Sequence, residues 1–367
     1  MFKKCIVFVV LFLIAACSTN EKEESNQTEN KISGETITLS GLEENSLLKK
    51  NISNLKLYSF DNGKNKVYYK ENLDYVVVGN RIKRIKDSKI PDFAFHKVVL
   101  NDDLSFTFAA SPRNPELTIE YQVFCDYDYT DMESLQGYYK SSFLSPEIKD
   151  RLKNKKAIKI AVIGTSISAG AHTWAQYYEE SDRETYPYLV ATAIENKFGS
   201  QVTINNYSMG GSSLSYLEES YESIIAENYD LIFIEFGMND HLYSLWLEQL
   251  PNFESVMSSI VKTSRQKDVN IILVGFFQQN LSWDLEFMGS TNAYNKSLFD
   301  IARQYNYYFA DINKEFSKYD ANKINRDLCG DYLHHPTTFG HQLYYKTIMP
   351  VFFEDSVSDG TLYKLVN

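Results

Sequence analysis

Two periodicities divide this chain. From about residue 34 to residue 139 apolar and polar positions alternate in short runs, among them Thr36–Leu39 and Leu104–Phe108. In the longest run Leu117, Ile119, Tyr121, Val123, Cys125, Tyr127 and Tyr129 share one side, with mostly polar residues between them. A period of two over that length predicts a strand with one buried face. Turn formers punctuate the region at Asp61-Asn62-Gly63, Gly79-Asn80 and Ser111-Pro112-Arg113-Asn114-Pro115. Several short strands with such turns predict a β-sandwich of jelly-roll-like form.

From Ala157 onward the pattern changes. Strand-like runs at 158–163, 202–206, 230–236, 269–276 and 307–311 are separated by stretches of helical period. Tyr294, Leu298, Ile301 and Tyr305, for example, fall on one helical face. Strands alternating with helices predict a parallel sheet covered on both faces, a three-layer α/β/α domain. A last helix is predicted from about Thr338 to Val351.

The N-terminus follows neither pattern. Lys3 and Lys4 precede an apolar run, Ile6 to Ala16, that is too short to span a bilayer. It ends in Leu13-Ile14-Ala15-Ala16-Cys17, which looks like a bacterial lipobox with Cys17 as the lipidated first mature residue. The polar segment after it lacks aliphatic residues before Ile32 and reads as a flexible spacer. The expected organisation is a signal peptide at 1–16, a linker at 17–33, the β-sandwich at 34–150 and the α/β/α domain at 151–367.

Candidate chemistry sits where predicted strands end. The run Ile158–Ile163 stops at Gly164-Thr165-Ser166, which hands a hydroxyl to the carboxyl edge of a sheet. The second strand leads to Asn206-Tyr207-Ser208-Met209-Gly210-Gly211-Ser212-Ser213, and the third to Gly237-Met238-Asn239-Asp240. Near the C-terminus, Asp331-Tyr332-Leu333-His334-His335-Pro336 precedes the last helix. These four blocks, in this order, resemble the SGNH subgroup of the GDSL hydrolases over about residues 157–350.

That resemblance implies a Ser-His-Asp arrangement of Ser166, His335 and Asp331. A serine hydroxyl needs a base to take its proton, and the base needs a carboxylate to orient it and stabilise its cation. The resemblance also implies an oxyanion hole built from the backbone N–H of Ser166, the backbone N–H of Gly211 and the side-chain amide of Asn239. Two departures stand out. Thr165 replaces the usual Asp of Gly-Asp-Ser. The common Asp-x-x-His-Pro spacing is split, because Asp331 lies three residues before His334 but only His335 precedes the proline. His335 is the assigned base and His334 stays open. His341 is expected to be structural, and Asp240 a local structural carboxylate. Trp174, His241, His172, Tyr177 and Tyr178 follow strand ends and could wall a substrate pocket.

Charge narrows the partners. The formal net charge is −11 and no strong basic cluster is present, which argues against nucleic-acid binding and against anionic polymers. His334, His335 and His341 cluster in sequence without an acidic or thiol partner at ligand spacing, so no metal and no cofactor are expected. Cys125 and Cys329 read as separate buried thiols, although a disulfide is permitted outside the cytoplasm. The combination resembles two-domain carbohydrate esterases that join a β-domain to an SGNH domain. The expected activity is removal of small acyl groups, acetyl foremost, from carbohydrate by a lipid-anchored enzyme of the bacterial cell envelope. Two alternatives stay open: a lysophospholipase or thioesterase, and a non-catalytic glycan-binding surface lipoprotein.

Overall fold

The computed structural model describes residues 30–61, 65–95, 98–100, 106–108, 118–130, 144–174, 176, 184–242, 249–281 and 290–352. The export signal, Cys17, Tyr177 and Tyr178 lie outside the described residues. The strands of the N-terminal region are β1 (Asn30–Thr38), β2 (Glu44–Ser46), β3 (Ile52–Asp61), β4 (Asn65–Tyr68), β5 (Tyr75–Val78), β6 (Arg81–Arg84), β7 (Val98–Leu100), β8 (Phe106–Phe108) and β9 (Gln122–Tyr129). Among the described residues they form antiparallel sheets ordered β1-β9-β3-β4, β2-β6-β5 and β7-β8. Leu57 and Val123 from the first sheet and Tyr75 and Ile82 from the second are buried in one apolar cluster.

Two expectations change here. β1 begins at Asn30, which pairs with Tyr129, and Ile32 is buried, so residues 30–33 belong to the β-region. The long alternating run is not one strand. Thr118–Tyr121 forms a 3-10 turn and β9 begins only at Gln122. Tertiary packing explains the break, because the turn lets Ile119 join Tyr58, Phe124 and Trp174 in a second cluster. Gln122, Val123, Phe124 and Cys125 are all buried, so this half of β9 is covered on both faces.

The C-terminal strands are β10 (Ile158–Gly164), β11 (Val202–Asn206), β12 (Leu231–Glu235), β13 (Ile271–Val274) and β14 (Tyr308–Ala310), close to the predicted runs. They form a parallel sheet in the order β11-β10-β12-β13-β14. The helices are α1 (Pro146–Lys153), α2 (Tyr186–Phe198), α3 (Leu214–Ile225), α4 (Met238–Leu242), α5 (Gln249–Gln266), α6 (Thr291–Tyr305), α7 (Ile312–Phe316), α8 (Ala321–Lys323) and α9 (Thr338–Ile348). The chain steps from β10 outward to β11 and then returns past β10 to β12. With right-handed crossovers, that reversal puts α2 on one face of the sheet and α3 on the other. The reversal is a switch point, and β10 stands at it; crevices for ligands open at the carboxyl ends of strands there.

The two regions share buried polar contacts as well as a core. Lys323, at the end of α8, is buried with its Nζ 2.8 Å from Glu35 Oε1 and 3.0 Å from Asp327 Oδ2. Burial opposes its charge, but Asp327 and Glu35 outweigh this and hold the ammonium above its ordinary pKa. Asp327 Oδ1 accepts from the N–H and the hydroxyl of Thr38, each at 2.8 Å. Gln122 Nε2 donates to the carbonyls of Arg326 and Cys329. The β-region therefore grips the π-helical turn Ile324–Leu328, immediately before the Asp331–His335 loop. Cys125 and Cys329 are both free thiols and buried.

Candidate active site

Ser166 lies in the turn that follows β10 and is partly exposed, whereas Thr165 and Ile167 on either side are buried. Its Oγ is 2.8 Å from His335 Nε2. On the other side of the same ring, Nδ1 is 2.5 Å from Asp331 Oδ2. A carboxylate only accepts, so Nδ1 carries the proton and Nε2 is left to accept from the serine hydroxyl.

The loop that holds this pair is organised around Asp331. Its Oδ1 accepts the backbone N–H groups of Leu333, His334 and His335 at 2.9, 3.1 and 3.1 Å. Tyr332 takes up a left-handed conformation, φ +67°, to bring them round. The N–H of Gly330 donates to His335 O, and that of Thr337 to Leu328 O, closing the loop at its base. Burial works against ionisation of Asp331, but His335 outweighs it and, with His334 and His172, holds the carboxyl well below the usual range.

The extra residue between Asp331 and the proline thus has a place. His335 faces Ser166; the neighbouring ring of His334 lies 4.1 Å away, centroid to centroid, and is buried. Burial, followed by the adjacent His335, pushes His334 down to about 3, so it is neutral at pH 7. His172, itself left-handed at φ +59°, stacks on His335 with ring centroids 4.7 Å apart. Burial lowers its pKa as well, opposed by Asp331 and aided by His335. His341 is buried against Tyr186, accepting its N–H at Nδ1, as a structural role requires.

The sequence cluster of His334, His335 and His341 is not the one the fold assembles. Ligand-type atoms of His172, Asp331 and His335 do lie within 4.8 Å of one another. Of these, the Asp331 and His335 atoms already bond to each other.

The oxyanion candidates Gly211 and Asn239 lie on two loops that are bonded to each other, and the first of these loops passes beside Ser166. In the loop after β11, Met209 N–H and Ser212 Oγ both bond to Gly164 O, at 3.0 Å each. A Cβ on Gly210 would sit 3.9 Å from Ser166 Cβ, so this loop passes alongside the serine. Gly211 adopts φ +73°, a region that favours glycine. Asn239 is buried at the start of α4, and its Nδ2 donates to Ser212 O at 2.7 Å. One amide hydrogen is thereby used to fix the side chain, and the amide carries a second. Asp240 ties the two loops together through Leu214 N–H at 2.8 Å and Gly237 N–H at 3.0 Å.

The two proposed pocket residues fare differently. His241 is fully buried, its Nδ1 near Gly237 O and its Nε2 2.9 Å from Gln279 Oε1, so it braces the turn and cannot wall an open pocket. Trp174 lines a cavity of about 280 Å³ with Tyr58, Phe60 and Phe124 of the β-region and Glu184 and Gln342; among the described residues its lining does not include Ser166 or His335.

One residue escaped the reading of the sequence. Glu235 ends β12, is fully buried, and accepts from Thr165 N–H, Thr165 Oγ1 and Ser168 Oγ. Burial pushes its carboxyl up to about 7, against those hydrogen bonds. Its signal was present as a lone acid inside the apolar run Leu231–Phe236.

Solved structures with a similar fold include an acetylxylan esterase from Geobacillus stearothermophilus, 20% identical over 55% of this chain and 97% of that one, with a TM-score of 0.45. Another is LAE5, an α/β hydrolase from the metagenome of Lake Arreo, 16% identical over 53% of this chain and 94% of that one, with a TM-score of 0.43. No curated protein matches the chain. Residues 162–343 match the GDSL-like lipase/acylhydrolase family, a span that runs from within β10 into α9 and contains all four loops. The α/β/α domain is therefore a GDSL-like lipase/acylhydrolase domain.

Proposed function

We propose that the protein is a serine esterase that removes small acyl groups, acetyl foremost, from carbohydrate at the bacterial cell envelope. The observation that carries this reading is the continuous relay Ser166 Oγ to His335 Nε2, and His335 Nδ1 to Asp331, at 2.8 and 2.5 Å. In this reading Ser166 Oγ attacks the ester carbonyl carbon while His335 Nε2 takes its proton. The resulting oxyanion is met by the N–H groups of Ser166 and Gly211 and by the second amide hydrogen of Asn239. Collapse breaks the bond to the sugar oxygen, which leaves with the proton from His335. Water, deprotonated by the same imidazole, then attacks the acyl-serine and releases the acid.

Three features support carbohydrate and the envelope. The lipobox-like Leu13–Cys17 suits a lipid anchor. The net charge of −11 suits neutral rather than anionic polymers. The cavity at Trp174 pairs aromatic walls with polar and charged groups, Glu184, Gln342, Lys31, Lys66 and Lys346, a combination that suits a sugar ring. The decisive experiment is acetate release from a panel of acetylated glycans by the wild type and Ser166→Ala. Release by the wild type alone is expected. In a series of nitrophenyl esters, preference for octanoate or longer over acetate would replace this reading with a lysophospholipase or thioesterase. Failure of a fluorophosphonate to label Ser166 in folded protein would favour a non-catalytic binder. Cys17→Ser is expected to leave the membrane fraction with its catalysis unchanged.

A further inference from the structure

The carboxyl group of Glu235 lies directly beneath the turn that carries Ser166. Its Oε2 accepts from Thr165 N–H at 3.0 Å, Thr165 Oγ1 at 2.9 Å and Ser168 Oγ at 2.9 Å. Thr165 Oγ1 in turn accepts from Ile167 N–H at 3.3 Å. Ser168 Oγ is 2.7 Å from Tyr186 OH, and Ser168 O accepts from Asn206 Nδ2 at 2.9 Å. Thr165 and Ser168, on either side of Ser166, are therefore fastened to one side chain of the neighbouring strand, and Ile167 is held to it through Thr165.

Such an arrangement is costly. A fully buried carboxyl group among apolar strand residues loses its hydration, and a leucine there would pack without that loss. What leucine cannot supply is direction: an acceptor holds an N–H and hydroxyls at set distances, whereas apolar contact does not. The sequence also clears space for it. A Cβ on Gly164 would meet Ser168 Oγ at 2.7 Å and Glu235 Oε2 at 2.9 Å, so only glycine leaves room for the carboxyl group at that point. Thr165, the departure from Gly-Asp-Ser, supplies a hydroxyl donor where an aspartate would set a second anion against Glu235.

We propose that Glu235 is a positioning residue for Ser166: by holding Thr165 and Ser168 on one oxygen, it sets where the serine Oγ and N–H stand relative to His335 and the oxyanion. Glu235 touches no substrate and acts through the turn. The proposal rests on Ser166 being the nucleophile, and misplacement of a reacting group by about 1 Å can cost about a hundredfold in rate.

The test compares Ser166→Ala, Glu235→Leu, Glu235→Gln and Thr165→Val in the full chain, using nitrophenyl acetate turnover, fluorophosphonate labelling rate and thermal melting. Glu235→Leu is expected to lose about a hundredfold in kcat with KM nearly unchanged, and labelling should slow in step. Glu235→Gln keeps an oxygen at the Oε2 position and is expected to stay within about tenfold of wild type. Thr165→Val removes one donor and should fall between them. A Glu235→Leu enzyme with wild-type kcat overturns the proposal while Ser166→Ala remains dead. So does Glu235→Gln as impaired as Glu235→Leu, since an acceptor would then not suffice. If Glu235→Leu does not fold, an unchanged kcat in Thr165→Val overturns it. Activity retained in Ser166→Ala overturns this proposal and the esterase assignment together.

Discussion

Lys323→Met tests whether the β-region truly holds the histidine loop. The ammonium is buried between Glu35 and Asp327, whose side chains are fully buried too. Removing it leaves two acidic groups without their cation. Breaking a buried pair from one side costs about 3–5 kcal/mol. The remaining contacts set where in that range the variant falls. Glu35 keeps the N–H of Leu48 and the hydroxyl of Tyr127, and Asp327 keeps Thr38 and Asn45. These polar neighbours place the expected loss near the lower end, about 3 kcal/mol. At roughly 2–4 °C per kcal/mol for a chain of moderate size, Tm should fall by about 6–12 °C. The assay is a thermal melt followed in parallel by nitrophenyl acetate turnover. Turnover should fail no later than the melt, because Asp327 precedes the Asp331 loop by only a few residues. Lys323→Met/Glu35→Gln, which removes one of the stranded acids, should recover part of the loss. A Lys323→Met melt within about 2 °C of wild type would refute the reasoning, since it would mean that the clasp carries no net stability.

Other outcomes follow from the site. His335→Ala should lose as much activity as Ser166→Ala, since triad members act as a unit, whereas His334→Ala should keep most of it; the reverse ranking in ester kinetics would move the base to His334. Asn239→Ala should cost about 10²–10³ in kcat with little change in KM, because an oxyanion donor acts mainly in the transition state; a pure KM effect would assign the amide to ground-state binding. His334 and His341 are both held near 3 by burial, below the ordinary value of 6.5. Their contribution to stability is therefore present above about pH 6.5 and lost as pH falls toward 3. Glu235, raised to about 7, has the opposite sign and favours folding as pH falls from 7 toward 4.5. Melts against pH should show net acid destabilisation, and His341→Gln should flatten it; an equally steep acid limb in that variant would remove His341 as a cause.

Much of the hydrolase domain was legible because parallel strands buried on both faces read as continuous apolar runs, and their loops carry short motifs. Ile158–Ile163 and Leu231–Phe236 could be located from residue type alone. The β-region was harder. Leu117–Tyr129 has the alternation of one strand, yet packing of Ile119 against Tyr58 and Trp174 folded its first part into a turn. Sequence spacing could not decide between His334 and His335, because the geometry depends on Asp331 wrapping three backbone N–H groups around one oxygen. His241 shows the opposite error: a position after a strand end suggested a pocket wall, while Gly237 and Gln279 enclose it. Glu235 went unremarked because its meaning lies in a neighbouring strand 70 residues away.

The grip of the β-region on the turn before Asp331 also has a consequence in time. Thr38 and Asp327 are 289 residues apart in sequence, and Glu35 and Lys323 are 288 apart. Contacts across such separations form late, since the ordering of a long intervening chain comes first. The parallel sheet needs only nearer partners, so the serine turn can take shape while its base is still unplaced. A nascent or refolding chain would thus pass through a stage that has Ser166 but no framed His335, and catalytic competence would arrive only when the first strand meets the last loop.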